Sequence, residues 1–456
     1  MNGSDRRTAA ACPRPAARDS LYTPVCVVDL DLDDPSGLRP PGGLGAVDPV
    51  GRVLALVRLH GHPLGLVTAT GTAGDTAALR RALVDAAHRE LPVPALSTAT
   101  PAARPGRVGR ARVPAGSPTV SVIVCTRDRD ALLPRCLDSL VRIGPPVTEV
   151  ILVDNAPRDD STEKLVRSRY GDLVRYVREP LPGLARARNR GLAAARGEIC
   201  AFTDDDAIAD SRWVTALVEA FQSDDRIGCV TGLVLAAELD TEAQFVLEQY
   251  NGPTRGFAAR SWSLREPLDD PLVRFSTGRF GMGANMAFRT DVIRAVGGFD
   301  PATGTGTPSR GGEDLLSFQQ VLTAGHTVAY QPDAIIWHRH RRTMEALATQ
   351  VSGFGVGFGA YLAAAVSHRP ALLAELVRRL PYGVWRWHVT HQVGPRTGPV
   401  DGDTLRMLRK LERRGLLYGP FCYLYTVWQQ RRPGGGRPAG HPVGRPAGHR
   451  TGGQPS

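Results

Sequence analysis

Three consecutive aspartates, Asp204, Asp205 and Asp206, follow an apolar run in the stretch "EICAFTDDDAIAD". Adjacent carboxylates repel one another, so such a cluster costs free energy unless a cation or a set of donors joins it. The apolar run between Gly197 and the polar turn reads as a buried strand of a parallel sheet, and such strands end at the crevice where open α/β sheets bind ligands. The triplet is either a cation or ligand site at a strand end or a solvated turn. Asp154 closes "EVILVDN", where a carboxylate can accept from a base or ribose or cap the next turn. Arg186, Arg188, Asn189 and Arg190 open a helix in "EPLPGLARARNRG", placing positive charge where either an anionic group or plain solvent would suit it. Glu313 and Asp314 in "GGEDLLSF" begin another helix, which one of them would suffice to cap. His338 and His340 stand two apart in "IIWHRHRR", on one face of an extended chain.

The elements that must position these residues follow a regular rhythm. Strands at 119–126, 149–155, 174–178 and 198–203 alternate with helices at 130–142, 160–170 and 184–196, the spacing of βαβ units and a mainly parallel sheet. Before them, residues 21–92 alternate strand-like runs with one amphipathic helix, which predicts a small α+β accessory domain. Six prolines between Pro92 and Pro118 make 93–117 a semi-extended linker. The predicted α/β domain occupies 118–342, a helical region 343–430, and disordered ends 1–20 and 431–456; the tail repeats "GRPAGH".

The net charge of +11 invites a nucleic-acid reading, yet its location argues against one. Arg431, Arg432, Arg437, Arg445 and Arg450 lie in the tail, and Arg104, Arg107, Arg110 and Arg112 in the linker, each segment free of acids. No nucleic-acid partner is expected; weak attraction of these segments to an anionic membrane fits better. Seven scattered cysteines without a CxxC pair point to a reduced, cytosolic protein, and the N-terminus lacks the apolar core of a signal peptide. Residues 346–367 carry no charge, but a spanning helix needs about 20 mainly apolar residues, and Gln350 with glycines at 353, 355, 357 and 359 makes this stretch buried or interfacial. The expected location is the cytoplasm, with peripheral attachment to the inner membrane face through the basic, aromatic C-terminal helices. The first βα turn, "VIVCTRDRD", has no glycine, which disfavours both the dinucleotide fingerprint and the P-loop.

Five motifs in order, "VSVIVCTRDRDALLPRCLDSL", "EVILVDN", "PGLARARNRGLAAARGEICAFTDDDAI", "GANMAFRTDVIRAVGGFD" and "GGEDLLSFQQVLTAGHTVAYQPDAIIWHRHRR", resemble the family 2 glycosyltransferases over 117–342. The resemblance implies the GT-A fold, a Rossmann-like, mainly parallel mixed sheet, and an inverting transfer from a UDP- or dTDP-sugar to a hydroxyl of a glycan, lipid or small molecule. It implies that Asp204 and Asp206 hold Mg²⁺ or Mn²⁺ against the donor diphosphate, with Asp205 between them. Thr126, Arg127, Asp128 and Asp154 would hold base and ribose, Arg188 and Asn189 would flank the nucleotide, and Gly283, Ala284 and Asn285 would approach donor sugar and acceptor. Asp314 would be the general base with Glu313 supporting the acceptor site, or the two would exchange these roles. His338 would complete the metal shell, in which case Mn²⁺ suits the nitrogen ligand better than Mg²⁺. Two other readings share these features: a non-catalytic sugar-nucleotide or glycan binder, which has no use for a base, and a nucleotidyltransferase, which would normally show a glycine-rich first turn. Residues 236–273 match no motif and are expected to shape acceptor choice.

Overall fold

Two separate sheets organise residues 24–34, 37–43, 47–92, 116–251, 255–265, 270–392 and 402–432, the part of the chain that the computed structural model describes. The predicted segment 1–20, nearly all of the linker and the tail beyond 432 lie outside it. In the first sheet β1 (Val25–Asp31) runs parallel to β2 (Gly51–Leu59), which pairs antiparallel with β3 (His62–Gly71). Helix α1 (Thr76–Glu90) is capped by the Asp75 carboxylate, which accepts from the Ala78 N–H. It packs Leu79, Leu83, Ala86 and Ala87 into one core with Val28, Val53 and Val67.

The second sheet contains β4 (Val120–Thr126), β5 (Val147–Asn155), β6 (Val174–Glu179) and β7 (Ile199–Asp204), linked by α2 (Leu133–Leu140), α3 (Ser161–Arg169) and α4 (Leu184–Ala194). It continues through β8 (Ala207–Ala209), α5 (Trp213–Ser223), β9 (Ile227–Ala236), α6 (Glu242–Asn251), β10 (Arg260–Trp262), β11 (Asn285–Arg289), α7 (Thr290–Ala295), α8 (Glu313–Thr323) and β12 (Thr327–His338). The strand order is β10-β12-β9-β11-β7-β4-β5-β6, with β8 paired to β12. Strands β4 to β7 are parallel, as the βαβ spacing predicts, and β11 enters antiparallel between β7 and β9. The sheet is thus mixed. Both its faces are covered, which explains the unbroken apolar runs: Val122, Val124, Leu152 and Ala201 face one core, Ile123, Ile151, Val153 and Phe202 the other. Successive strands lead from β4 outward to β6, and the chain then returns to place β7 on the other flank of β4. This reversal opens a crevice at the carboxyl ends of β4 and β7.

The C-terminal region is helical: α9 (Met344–His368), α10 (Ala371–Gln392) and α11 (Gly402–Arg431). The glycines of α9 allow backbone-to-backbone approach. A Cβ at Gly355 would stand 2.0 Å from the Glu412 carbonyl oxygen, one at Gly359 2.3 Å from that of Leu416, and one at Gly419 of α11 2.2 Å from that of Val356. On its other side α9 abuts the start of α8, where Gly312 has φ of 90° and a Cβ would lie 2.4 Å from the Gly357 carbonyl oxygen. Among the described residues no helix is long and apolar enough to cross a membrane. Residues 416–428, Pro420 among them, lie within α11.

The N-terminal unit is tied to the larger sheet by hydrogen bonding of Val25 N–H to the Leu239 carbonyl and by a buried Arg58, which reaches Asp29 at 2.9 Å and Asp210 at 2.5 Å. One expectation is corrected here: Cys26 is disulfide-bonded, so the cysteines are not uniformly reduced, although Cys125, Cys136, Cys200, Cys229 and Cys422 are free. The free ones lie in strands and helices, as the sequence suggests.

Candidate active site

The acidic triplet sits where the crevice opens. Asp204 ends β7 beside Cys125 of β4, and Asp205 and Asp206 form the turn into β8. The turn is held from several sides. Thr126, the last residue of β4, donates its hydroxyl to Asp205 at 2.7 Å, and Arg129 reaches Asp205 at 2.8 Å and Asp206 at 3.0 Å. His338, at the end of β12, lies 3.0 Å from Asp206 and 3.8 Å from Asp204. One ligand atom from each of Asp204, Asp206 and His338 falls within 4.8 Å of the others, a spacing that could hold a metal ion.

Electrostatics separate the three acids by environment. Burial pushes Asp205 up to about 6 despite the Arg129 guanidinium. Burial acts on Asp206 as well, but His338, Arg129 and Arg341 together hold it below the ordinary carboxylate range. The His338 imidazole loses from burial and gains more from Asp206 and Asp204, which raise it to about 10. Two carboxylates and an imidazole, with net negative charge at the mouth of a crevice, fit a divalent cation.

A second acidic pair lies across the crevice. Glu313 is buried at the start of α8; its Oε1 accepts from Arg188 at 2.8 Å, while its Oε2 is buried with no hydrogen-bond partner. Burial outweighs Arg188 and pushes Glu313 up to about 7. Asp314 is half-buried, with Oδ2 accepting from the Gly283 N–H at 2.9 Å and Oδ1 from the Leu315 N–H at 2.8 Å. Arg188, buried on α4, joins the two halves: it donates to the Gly283 carbonyl at 3.1 Å and lies 3.6 Å from Asp204. The cation triad and the acid pair are thus linked by one guanidinium.

Other expected site residues divide. Asp154 faces the crevice end of β5 in register with Thr126; Tyr176 donates to its Oδ2 at 2.9 Å, and its Oδ1 is buried without a partner. Burial raises its pKa. Asp128, at φ of 52°, is bound by the Arg158 N–H at 3.1 Å, and Arg127 is exposed at the rim. Gly283 lies beside Asp314 and Arg188, and Ala284 follows it, buried.

Two residues are placed elsewhere than expected. Asn189 spends its amide on the Phe299 backbone, donating at 2.7 Å and accepting at 2.9 Å, so it braces a loop beneath the site. Asn285 is fully buried; it accepts from the Trp213 indole at 2.8 Å and donates to the carbonyls of Leu233 and Ala334. Helical phase decides the first case, since Arg188 and Asn189 are neighbours that must point apart. Arg129 and Tyr176 were not foreseen. The alternation in "CTRDRD" does not reveal which arginine the positive φ at Asp128 turns inward.

Residues 121–297 match the profile described as Glycosyl transferase family 2. Among curated proteins, the chain is 26% identical over 195 residues to the glucosyl-dolichyl phosphate glucuronosyltransferase of Haloferax volcanii, covering 41% of this chain and 57% of that one. It is 26% identical over 258 residues to the pre-mycofactocin glycosyltransferase of Mycobacterium tuberculosis, covering 57% and 50%. The chain therefore spans about half the length of the curated relatives it matches. A solved mannosyltransferase of Pyrobaculum calidifontis, in complex with GDP-Man and Mn²⁺, aligns at 17% identity and a TM-score of 0.42 over 68% of this chain and 88% of that one. The matched profile covers the first four strands of the mixed sheet, the crevice between β4 and β7 and the acidic turn. Over these residues the chain is similar to glycosyl transferase family 2, and the matched stretch lies on the mixed α/β sheet that carries the acidic turn.

Proposed function

We propose that the protein is an inverting, metal-dependent glycosyltransferase that moves a sugar from a UDP- or dTDP-sugar to a hydroxyl acceptor. The observation that carries this reading is the crevice in which a triad able to hold a cation, Asp204, Asp206 and His338, faces a half-buried carboxylate, Asp314, with Arg188 between them. Bound there, Mg²⁺ or Mn²⁺ would neutralise the charge that builds on the departing diphosphate.

The chain's own residues supply the rest. Asp154 offers the unpaired Oδ1 to a nucleobase N–H, a donor that both uracil and thymine carry. Arg188 keeps positive charge between the leaving-group side and the acceptor side of the crevice. Asp314, fixed by two backbone N–H groups and still accessible, takes the proton of the acceptor hydroxyl as that oxygen attacks the anomeric carbon opposite the diphosphate. A single displacement from that side inverts the configuration. Glu313 is enclosed and engaged with Arg188, which favours Asp314 as the base and Glu313 as its support.

The outer face of α11 supports peripheral attachment to an anionic membrane. Leu417, Tyr418, Phe421, Leu424, Tyr425 and Trp428 recur at helical spacing with exposures from 48% to 75%, between exposed Arg414 and Arg431.

Donor binding and product formation separate the two halves of the site. Asp206→Ala should abolish metal-dependent nucleotide binding, whereas Asp314→Asn should retain it and lose transfer by about 10²-fold or more. Equal loss of binding in both variants would refute the division of roles.

A further inference from the structure

His338 does not stand alone behind Asp204 and Asp206. Its Nδ1 lies 3.4 Å from Nδ1 of His340, and Nε2 of His340 lies 2.5 Å from Oε1 of Glu248. His340 is buried, and Glu248 comes from α6. The line Glu248, His340, His338, Asp206 is continuous, with every contact between buried or partly buried atoms.

The donors in this line follow from chemistry. A carboxylate accepts, so His340 must carry its hydrogen on Nε2; in the neutral ring its Nδ1 is then an acceptor. The facing Nδ1 of His338 must therefore be the donor. A neutral His338 protonated on Nδ1 has a bare Nε2, and that atom is the one aimed at Asp204 and Asp206. A partner on the far nitrogen is what fixes the tautomer of a metal-ligating histidine.

We propose that Glu248 and His340 are positioning residues that lock His338 in the tautomer able to ligate a cation through Nε2, and so give this site its preference for Mn²⁺ over Mg²⁺. The inference rests on the cation reading of the triad given above. The geometry around the line fits a braced support: the His340 carbonyl accepts from Gln244 of α6 at 3.3 Å, and the Arg339 N–H donates to the Asp206 carbonyl at 2.9 Å. Oxygen-rich Mg²⁺ gains little from an imidazole, whereas Mn²⁺ accepts one readily, so loss of the correct tautomer falls mainly on Mn²⁺.

The test is titration of the full chain with Mn²⁺ or Mg²⁺ in the presence of UDP, following free Mn²⁺ by electron paramagnetic resonance and Mg²⁺ by competition. Bound Mn²⁺ is also examined for nitrogen hyperfine coupling from a coordinated imidazole. His340→Phe keeps the ring volume and breaks the line. Glu248→Gln keeps the shape but can donate to His340, so it no longer dictates which nitrogen of His338 is bare. Mn²⁺ affinity should fall about 10- to 100-fold in His340→Phe and less in Glu248→Gln, with Mg²⁺ affinity within about 3-fold of wild type and the nitrogen coupling weakened. The wild type should show the coupling and His338→Gln should not. If the wild type binds Mn²⁺ through nitrogen and both variants match it, or if they lose Mn²⁺ and Mg²⁺ in equal proportion, the positioning role is overturned while the cation site stands. If the wild type binds neither ion with UDP present, the cation reading and this inference fall together.

Discussion

Removing Arg188 tests the link between the two halves of the crevice. The guanidinium is buried and lies 2.8 Å from Glu313, a separation at which unit charges attract by about 6 kcal/mol for an effective dielectric of about 20. Desolvation of both ions offsets much of that, so the intact pair contributes little net stability, but deleting one partner strands the other and costs about 3–5 kcal/mol. Arg188→Met should therefore lower Tm by roughly 6–20 °C, taking about 2–4 °C per kcal/mol for a unit of this size. Glu313→Met leaves a guanidinium that cannot shed its proton but keeps Asp204 at 3.6 Å and the Gly283 carbonyl as partners, and the double variant should recover much of the loss of either single change. A denaturant-based double-mutant cycle at about pH 8 should give a coupling of about 2–4 kcal/mol. The pH dependence has a fixed sign. The folded value for Glu313 lies above the ordinary 4.5, so the protonated group favours the native state, and this contribution is lost as pH rises from 4.5 through about 7. The coupling should accordingly shrink at about pH 5, where Glu313 is neutral. Additive losses at both pH values would refute the pairing.

Further consequences concern the scaffold. A Cβ at Gly419 would meet the Val356 carbonyl oxygen at 2.2 Å, whereas at Gly353 the nearest atom is 3.9 Å away. Gly419→Ala should lose about 1–3 kcal/mol by overpacking, while Gly353→Ala should be neutral or gain up to about 1 kcal/mol from helix propensity; thermal unfolding distinguishes the signs. Arg58→Met leaves Asp29 and Asp210 buried without their common cation and should loosen the N-terminal unit, read as faster hydrogen exchange in β1 and β2 with the sheet core protected. Vesicles containing anionic lipid should retain the wild-type chain, and Phe421→Glu with Trp428→Glu should release it; unchanged partitioning would remove α11 as the contact.

The sequence by itself determined what depends on local pattern. The unbroken apolar runs and the helices between them made β4 to β7 a parallel array, and the end of each run located Thr126, Asp154 and Asp204 at one edge of it. The acids of the triplet and of the α8 start were visible because unbroken charge beside an apolar run is rare without a partner. Only the tertiary structure decided which side chains share the crevice. It brought His338 to Asp206 across more than a hundred residues, turned Arg188 inward and Asn189 away, and spent Asn285 on the core. It also gave the glycines of α9 their reason, a close approach to α11 and to Gly312, which composition alone presents as mere flexibility. The physical difference is range: periodicity and capping act within a few residues, whereas orientation, burial and charge pairing are set by neighbours that the chain supplies from far away.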